Sequence, residues 1–585
     1  MRSLRHSVLL FALCGVAHGL HAQRYATDVF TDAQLTITPD VPYGVNIDFL
    51  HSDFSDPDVA ASEIIQLQYF VSNGIPVPLT FFDPESPSTL VKLSELGMDV
   101  YQPDQTLDCE EMRPLFIYLH AGDLLPPPLN GKPDGARTDS SAVEVCKRMA
   151  RRGYVAVSMD YRAGWDPQNP DPETRTGTFI NALYRAMHDL KQCIRKLKGD
   201  APLYRTGTEQ VIVCGEGMGG TIALAAATLN DSSELFIEKL LPDVSQPGVS
   251  YVDTTTAGNI DGFNGQFNLY RPNGYDGRFA FCVNIGGALV DTSWLAPGDA
   301  PMVSFHPVFD QSTPFAEGGL IVGGTDEEVF AVHGSDLFQQ LANAYGNNAS
   351  FTGLPDGDPF TDRARDLYGT SQVHSGSTVT IDAEVEGVFP FITPDWPAQD
   401  AALREETGPW SWWDPESPLA QVEITPGVTT NDAALASNPD MSALKGRAYI
   451  DTIVGYLSPR IIAALGLSET LLAVGMPCDD GNTATFNDVY NEDCLCVGVP
   501  DGIEEESPAV GLLVLPNPVH DMFRASSENA MIVDYALFDA TGRRVRTAGV
   551  NARQFIMDRN GLQAGTYYLT VRFADGSATR KVALD

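Results

Sequence analysis

Basic residues are scarce in this chain. Its 37 Lys and Arg stand against 77 Asp and Glu, a formal net charge of −40 over 585 residues. Like charge repels, so nucleic acid and anionic membrane are excluded as partners, and the surplus acid reads as a solvated surface suited to an extracellular or saline setting. Long apolar runs are scarce as well. The stretch from Val8 to Ala17 is too short to cross a bilayer, which takes about 20 residues, so no transmembrane anchor is expected. With Arg2 and Arg5 before it and small residues near Ala22 after it, it has the layout of a secretory signal peptide over residues 1–22. Cysteine is sparse: Cys14 lies in that segment, and Cys109, Cys146, Cys193, Cys214, Cys282, Cys478, Cys494 and Cys496 follow it. Export places these eight where disulfides can form, and their pairing stays open. Cys214 and Cys282 fall on apolar strands and read as small core residues.

A chain of this length exceeds the usual size of a single core, so more than one domain is expected. The segment from Gln210 to Asn230 is the most informative. Val211, Ile212 and Val213 read as a buried parallel strand and Thr221 opens an Ala-rich helix, with Gly215, Glu216, Gly217, Met218 and Gly219 turning between them. Strand, G-x-S-x-G and helix together form a nucleophile elbow, in which a tight turn lifts a serine above the sheet. Here the flanking glycines are present and Gly217 stands where the serine would be.

Around this turn the chain alternates in βαβ fashion. Short strands and Asp/Pro/Gly turns from Tyr25 to Leu93 suggest an antiparallel lead-in, and the strand Arg113 to Leu119 ends in His120-Ala121-Gly122. A helix from Ser141 to Arg152, with Ser140 or Ser141 as its N-cap, precedes the strand Tyr154 to Asp160; a second helix runs from Phe179 to Lys198, on which Arg185 and Asp189 can pair. The expected fold class is α/β, a doubly wound and mainly parallel sheet. The succession Asp160-Tyr161-Arg162, Arg185-Ala186-x-x-Asp189 and Gly215-Glu216-x-x-Gly219-Gly220 resembles the carboxylesterases of the α/β-hydrolase superfamily, closely over 99–230 and loosely to about Leu467.

The resemblance implies roles for further residues. His120, Ala121, Gly122 and Met218 take the place of the oxyanion hole, and Asp310, in His306-Pro307-Val308-Phe309-Asp310, takes that of the triad acid. The triad histidine belongs after the next strand, read here as Thr378 to Phe391, and none is found there; His333 and His374 come too early. Serine and histidine are thus both missing, and either loss alone removes most of the rate in such an enzyme. The Gly/Asp/Thr-rich stretch Leu235 to Asp276 is expected to be a loop or cap over the site. Trp410, Trp412 and Trp413 can line a pocket or anchor a loop, and a helix from Met441 is expected to stop at Leu457, ahead of Pro459.

At Cys478 the composition changes. Asp479, Asp480, Asn482, Asn487 and Asp488 form an oxygen-rich loop bracketed by cysteines, read either as a Ca²⁺ site or as a disulfide-pinned linker; no other cofactor is expected. Asp501 to Ser507 then makes a charged hinge. From Val510 onward, short strands with Gly and Asn turns predict a small all-β, Ig-like sandwich, whose general reading is a carbohydrate-binding module. Leu515-Pro516-Asn517-Pro518, Asp539-Ala540-Thr541-Gly542-Arg543 and Leu562-Gln563-Ala564-Gly565-Thr566-Tyr567, with the lysine-containing last strand, resemble the type IX secretion C-terminal sorting domain. That resemblance implies handling by the type IX machinery and a secreted or outer-surface location. The expected organisation is a signal peptide at 1–22, an α/β-hydrolase-like domain at 23–470, a linker at 471–509 and a sorting domain at 510–585. The expected function is a pseudoenzyme binding a small-molecule, glycan or peptide ligand at the cell surface. Two alternatives are an active secreted carboxylic ester hydrolase with a non-standard nucleophile, and a calcium-assisted structural or adhesive surface protein.

Overall fold

The computed structural model describes the chain apart from residues 1–22, 243–244, 246–247, 322–327, 356, 375, 397–405, 484, 501–510 and 575. The signal peptide expected at 1–22 and the hinge expected at 501–507 therefore lie outside the described residues. The chain divides into two units, the first ending at Ala473 and the second beginning at Val474.

The first unit is built on one eight-stranded sheet. Its strands are β1 (Leu35–Asp48), β2 (Lys92–Pro103), β3 (Arg113–Leu119), β4 (Val155–Met159), β5 (Thr206–Glu216), β6 (Phe281–Ile285), β7 (Met302–Pro307) and β8 (Val388–Phe391). Their order across the sheet is β1-β2-β4-β3-β5-β6-β7-β8. β2 is antiparallel to both of its neighbours, and β4, β3 and β5 to β8 run parallel. This order, with a reversed second strand and a crossover at β3 and β4, is that of the α/β-hydrolase fold.

Alternation along the strands explains why both faces are covered. Leu115, Ile117 and Leu119 of β3 and Val211 and Val213 of β5 point into one apolar cluster; Phe116, Tyr118, Ile212 and Cys214 point into the other. Helices α1 (Ser140–Arg151) and α4 (Ala443–Leu465) cover the second face, and α2 (Pro172–Gly199) and the elbow helix α3 (Met218–Thr228) cover the first. Cys146, Cys193, Cys214 and Cys282 are free and buried in these clusters.

Several boundaries differ from the sequence expectations, each for a physical reason. α2 begins at Pro172 rather than Phe179, because Asp171 caps it by accepting from Thr174 N and proline suits the first turn. On α2, Asp189 does not pair with Arg185. Its carboxylate takes Arg162 at 2.9 Å and the hydroxyl of Tyr270 at 2.6 Å, while Arg185 lies over the ring of Phe49. α1 is preceded by Asp139 at the N-cap position, and Ser140 and Ser141 are already inside its first turn. α4 runs through Pro459 to Leu465 and ends at the left-handed Gly466. Ile450, Ile453, Val454, Leu457 and Ile461 are buried on both sides of the proline, and that burial outweighs a penalty of about 3 kcal/mol for proline in a helix. The strand read from Thr378 to Phe391 is split into an outer hairpin, Ser371–His374 with Ser377–Thr380, and the buried β8.

In the second unit a hairpin of Thr485–Tyr490 and Cys496–Pro500 carries the Cys478–Cys496 disulfide. Cys494 is disulfide-bonded as well. A three-stranded and a four-stranded antiparallel sheet follow, with Leu537, Leu569, Val571 and Val582 fully buried in a core of their own. These antiparallel sheets are the all-β C-terminal part expected of the fold class.

Candidate functional site

The turn after β5 adopts the elbow geometry although its apex has no side chain. Gly217 sits at φ 53°, ψ −117°, between the end of the strand and the first turn of α3. Three neighbouring glycines are required by close approach. A Cβ on Gly215 would fall 2.0 Å from Gly219 O, one on Gly219 2.4 Å from Leu119 O, and one on Gly220 2.2 Å from Asn284 Oδ1. At Gly217 the nearest atom to such a Cβ is the Ala121 methyl, at 3.4 Å. Packing therefore dictates the glycines around the apex, whereas only backbone conformation bears on the apex itself.

Ala121 and Gly122, just past β3, and Met218, at the start of α3, line one cavity with Gly217. Gly122 has φ 127°, and a Cβ there would meet Gly135 Cα at 3.0 Å. His120 is buried and stacked on Tyr161 with ring centroids 4.4 Å apart, and its Nδ1 donates to Ala121 O. Burial pushes its pKa down to about 4, so the ring is neutral and serves to hold the loop.

Glu216, next to the apex, is the most heavily bonded side chain of the site. One carboxylate oxygen accepts from Tyr118 Oη at 2.5 Å and Ser141 Oγ at 3.0 Å; the other accepts from Trp410 Nε1 at 2.8 Å and Ser411 Oγ at 2.7 Å. It is 4% exposed. A carboxylate whose lone pairs are taken by four donors ties β3, α1 and the Trp410 loop to the elbow and is not available as a nucleophile. Trp410 thus anchors its loop and lines the cavity at once, packing 3.2 Å from the Cβ position of Gly286. Trp413 lines the cavity and donates to Asn431, and Trp412 lies under Arg447.

The cavity has a volume of about 350 Å³. Among the described residues on its wall, Asp123, Asp134, Glu216 and Asp310 stand against a single cation, Lys132. Asp310 follows β7, and its Oδ1 accepts from the backbone N–H of Ser312 and Thr313. Burial pushes its pKa up to about 8 and that of Asp134 up to about 6; Lys132, 3.6 Å from Asp123, is raised chiefly by that carboxylate. Asp123, Lys132 and Asp134 were not singled out from sequence. They lie in a loop without periodicity, and the one signal was its density of Pro, Gly and Asp.

No histidine is among the described residues lining the cavity. His306 is fully buried within the sheet, donating through Nε2 to Thr313 O and accepting at Nδ1 from Ser335 Oγ. His333 Nδ1 accepts from Thr292 N, and His374 stacks on Phe309. The stretch Leu235 to Asp276 does not cover this site: none of its described residues is on the cavity wall, and Tyr251, Asp253 and Phe267 line a separate one.

In the second unit, Asp479, Asp480 and Asp488 each bring a carboxylate oxygen within 4.8 Å of the others. Asp488 Oδ1 is buried without a hydrogen-bond partner, and a Cβ on Gly498 would fall 1.9 Å from it. Asn487 takes a left-handed turn at φ 54°, and Asn482 N donates to Asp480 Oδ1.

Comparison with known proteins divides in the same way as the chain. Among solved structures, Thermogutta terrifontis esterase 2 phosphorylated by paraoxon is 15% identical, covering 38% of this chain and 69% of its own, with a TM-score of 0.26. The butyrate-bound form of a thermophilic esterase from the same organism is 14% identical over 38% and 70%, with a TM-score of 0.25. No curated protein matches. The fold assignment rests on strand order and on the elbow. The first unit is an α/β-hydrolase-fold protein in architecture. Residues 513–585 match the secretion system C-terminal sorting domain, so this is a protein addressed by the type IX machinery to the cell surface or beyond it. Among the described residues no helix is long and apolar enough to cross a membrane.

Proposed function

We propose that the first unit binds a glycan or basic peptide outside the cell and does not hydrolyse it. The observation that carries this reading is Gly217 at the apex of a turn that keeps its elbow conformation and its surrounding glycines. Glu216, the neighbouring group that could have served instead, is consumed by four donors. Acid groups and two tryptophans on the wall suit ligands offering ammonium or hydroxyl donors to carboxylates and flat faces to indoles.

The exported protein is expected to give no adduct with a fluorophosphonate probe and no turnover of nitrophenyl butyrate. Titration with a trilysine peptide or with short glycans should change its tryptophan fluorescence. An adduct or turnover that survives removal of contaminating esterases would overturn the reading in favour of an ester hydrolase with another nucleophile.

A second reading concerns calcium, favoured by the convergence of Asp479, Asp480 and Asp488. Three hard oxygens on a disulfide-closed loop fit Ca²⁺, and binding the folded state at 100 times Kd would stabilise it by about 2.7 kcal/mol. The melting temperature of the second unit is expected to rise with added Ca²⁺ and to fall back with chelator. In an Asp488→Asn variant the rise should vanish; an equal rise in that variant would place the ion elsewhere.

A further inference from the structure

A second cavity, of about 860 Å³, lies along α2, shares no lining residue with the elbow cavity and has no part in the function proposed above. Its wall is aromatic. Phe49, Phe54 and Phe267 pack on one another with ring centroids 5.5 to 6.2 Å apart, and Trp165 and Tyr251 join them on the wall.

Into this wall is set Arg185, a cation with no carboxylate in salt-bridge contact among the described residues. It is 8% exposed, and its guanidinium lies 3.8 Å from the ring centroid of Phe49. One nitrogen donates to Gly164 O at 2.6 Å, and Nε is buried with no hydrogen-bond partner. The carboxylates that could neutralise it are engaged elsewhere. Asp189 is held by Arg162 and Tyr270, and Asp48 accepts from Leu50 N, His51 N and the His51 ring. Burial and the charge of Arg162 push the pKa of Arg185 down to about 9, the response of a buried cation in want of an anion.

Burying an unpaired charge is costly, and an anionic ligand set against it would offset that cost. The opposing charges on this wall, Asp166, Asp171, Glu173 and Asp253, are all exposed carboxylates, so solvent screens them from the buried Arg185. We propose that this cavity is a binding site for a small carboxylate with an apolar or aromatic body, its carboxylate on Arg185 and its body against Phe49, Phe54 and Phe267.

Trp165, on the same wall, supplies a local reporter. The full exported protein would be titrated with 4-phenylbutyrate, with the neutral 4-phenylbutyramide and with 4-phenylbutylamine, following tryptophan fluorescence and heat. The carboxylate is expected to bind at one site, at least tenfold more tightly than the amide, with the amine weaker still. Equal affinity for carboxylate and amide, tighter binding of the amine, or no binding of the carboxylate would each overturn the proposal. Arg185→Lys should retain part of the preference, because a point charge remains without the planar fork, and Arg185→Met should abolish it. Should the methionine variant fail to fold, the comparison of the three ligands on the unaltered protein decides by itself. Retention of the full preference in a folded Arg185→Met protein would also overturn the assignment.

Discussion

Replacing Glu216 by alanine is expected to destabilise the first unit by about 3–5 kcal/mol, among the largest effects a single truncation can have here. The change strands four donors from three separate places in the chain, Tyr118, Ser141 and the adjacent Trp410 and Ser411, of which all but Ser411 are buried, and opens a void beside the elbow. Glu216→Gln should cost less, roughly 1–2 kcal/mol. Its amide oxygen can face Trp410, which only donates, and its nitrogen can face the hydroxyls of Tyr118 and Ser141, which can turn and accept. Urea unfolding followed by tryptophan fluorescence would separate the two variants. An alanine variant with an unshifted midpoint would mean that the network contributes nothing and that the Trp410 loop is held by other contacts.

The second large effect is expected at the glycines, and it is a contrast. Gly219→Ala places a methyl 2.4 Å from Leu119 O and 2.7 Å from His120 O, both backbone atoms that cannot swing away. Loss of about 4 kcal/mol or failure to accumulate in folded form should follow. Gly217→Ala meets only Ala121, at 3.4 Å, and its cost should be confined to the left-handed backbone, about 1–2 kcal/mol. Thermal melts by circular dichroism on the two purified variants test this directly. If Gly217→Ala proved as damaging as Gly219→Ala, the apex would be held by packing after all.

The fold was legible wherever local pattern and tertiary demand agree. Val211 to Val213 alternate between the two cores, and Gly215, Gly219 and Gly220 are fixed by contacts under 3 Å, so strand, turn and helix could be read together from one short stretch. Helix limits were read less well, because Pro172 starts a helix under the cap of Asp171 whereas Pro459 fails to end one. A proline carries one chemical fact, and the surrounding burial decides what becomes of it. Of the residues on the cavity wall, the sequence pointed to the elbow, Ala121, Gly122, Asp310, Trp410 and Trp413, but not to their partners nor to the loop of Lys132 and Asp134. Glu216 finds Ser141 across 75 positions and Ser411 across 195, and no periodicity reports such partners. Lys132 and Asp134 come to the cavity on a loop, where spacing holds no information about direction. Asp189 shows the same limit from the other side. Its spacing from Arg185 allowed a pair on the helix face, and Arg162, from outside the helix, took the carboxylate.

The conformation of Gly217 has a consequence for how this protein can change. Any other residue at φ 53°, ψ −117° would hold backbone strain of about 1–3 kcal/mol, a load that is worth bearing only while a side chain there does chemistry. Glycine carries none of it. On the binding function proposed above, a serine introduced at this apex takes on that strain, and no histidine among the described residues of the cavity wall stands ready to activate its hydroxyl. Gaining acyl transfer then requires two changes at once, of which the first alone costs stability.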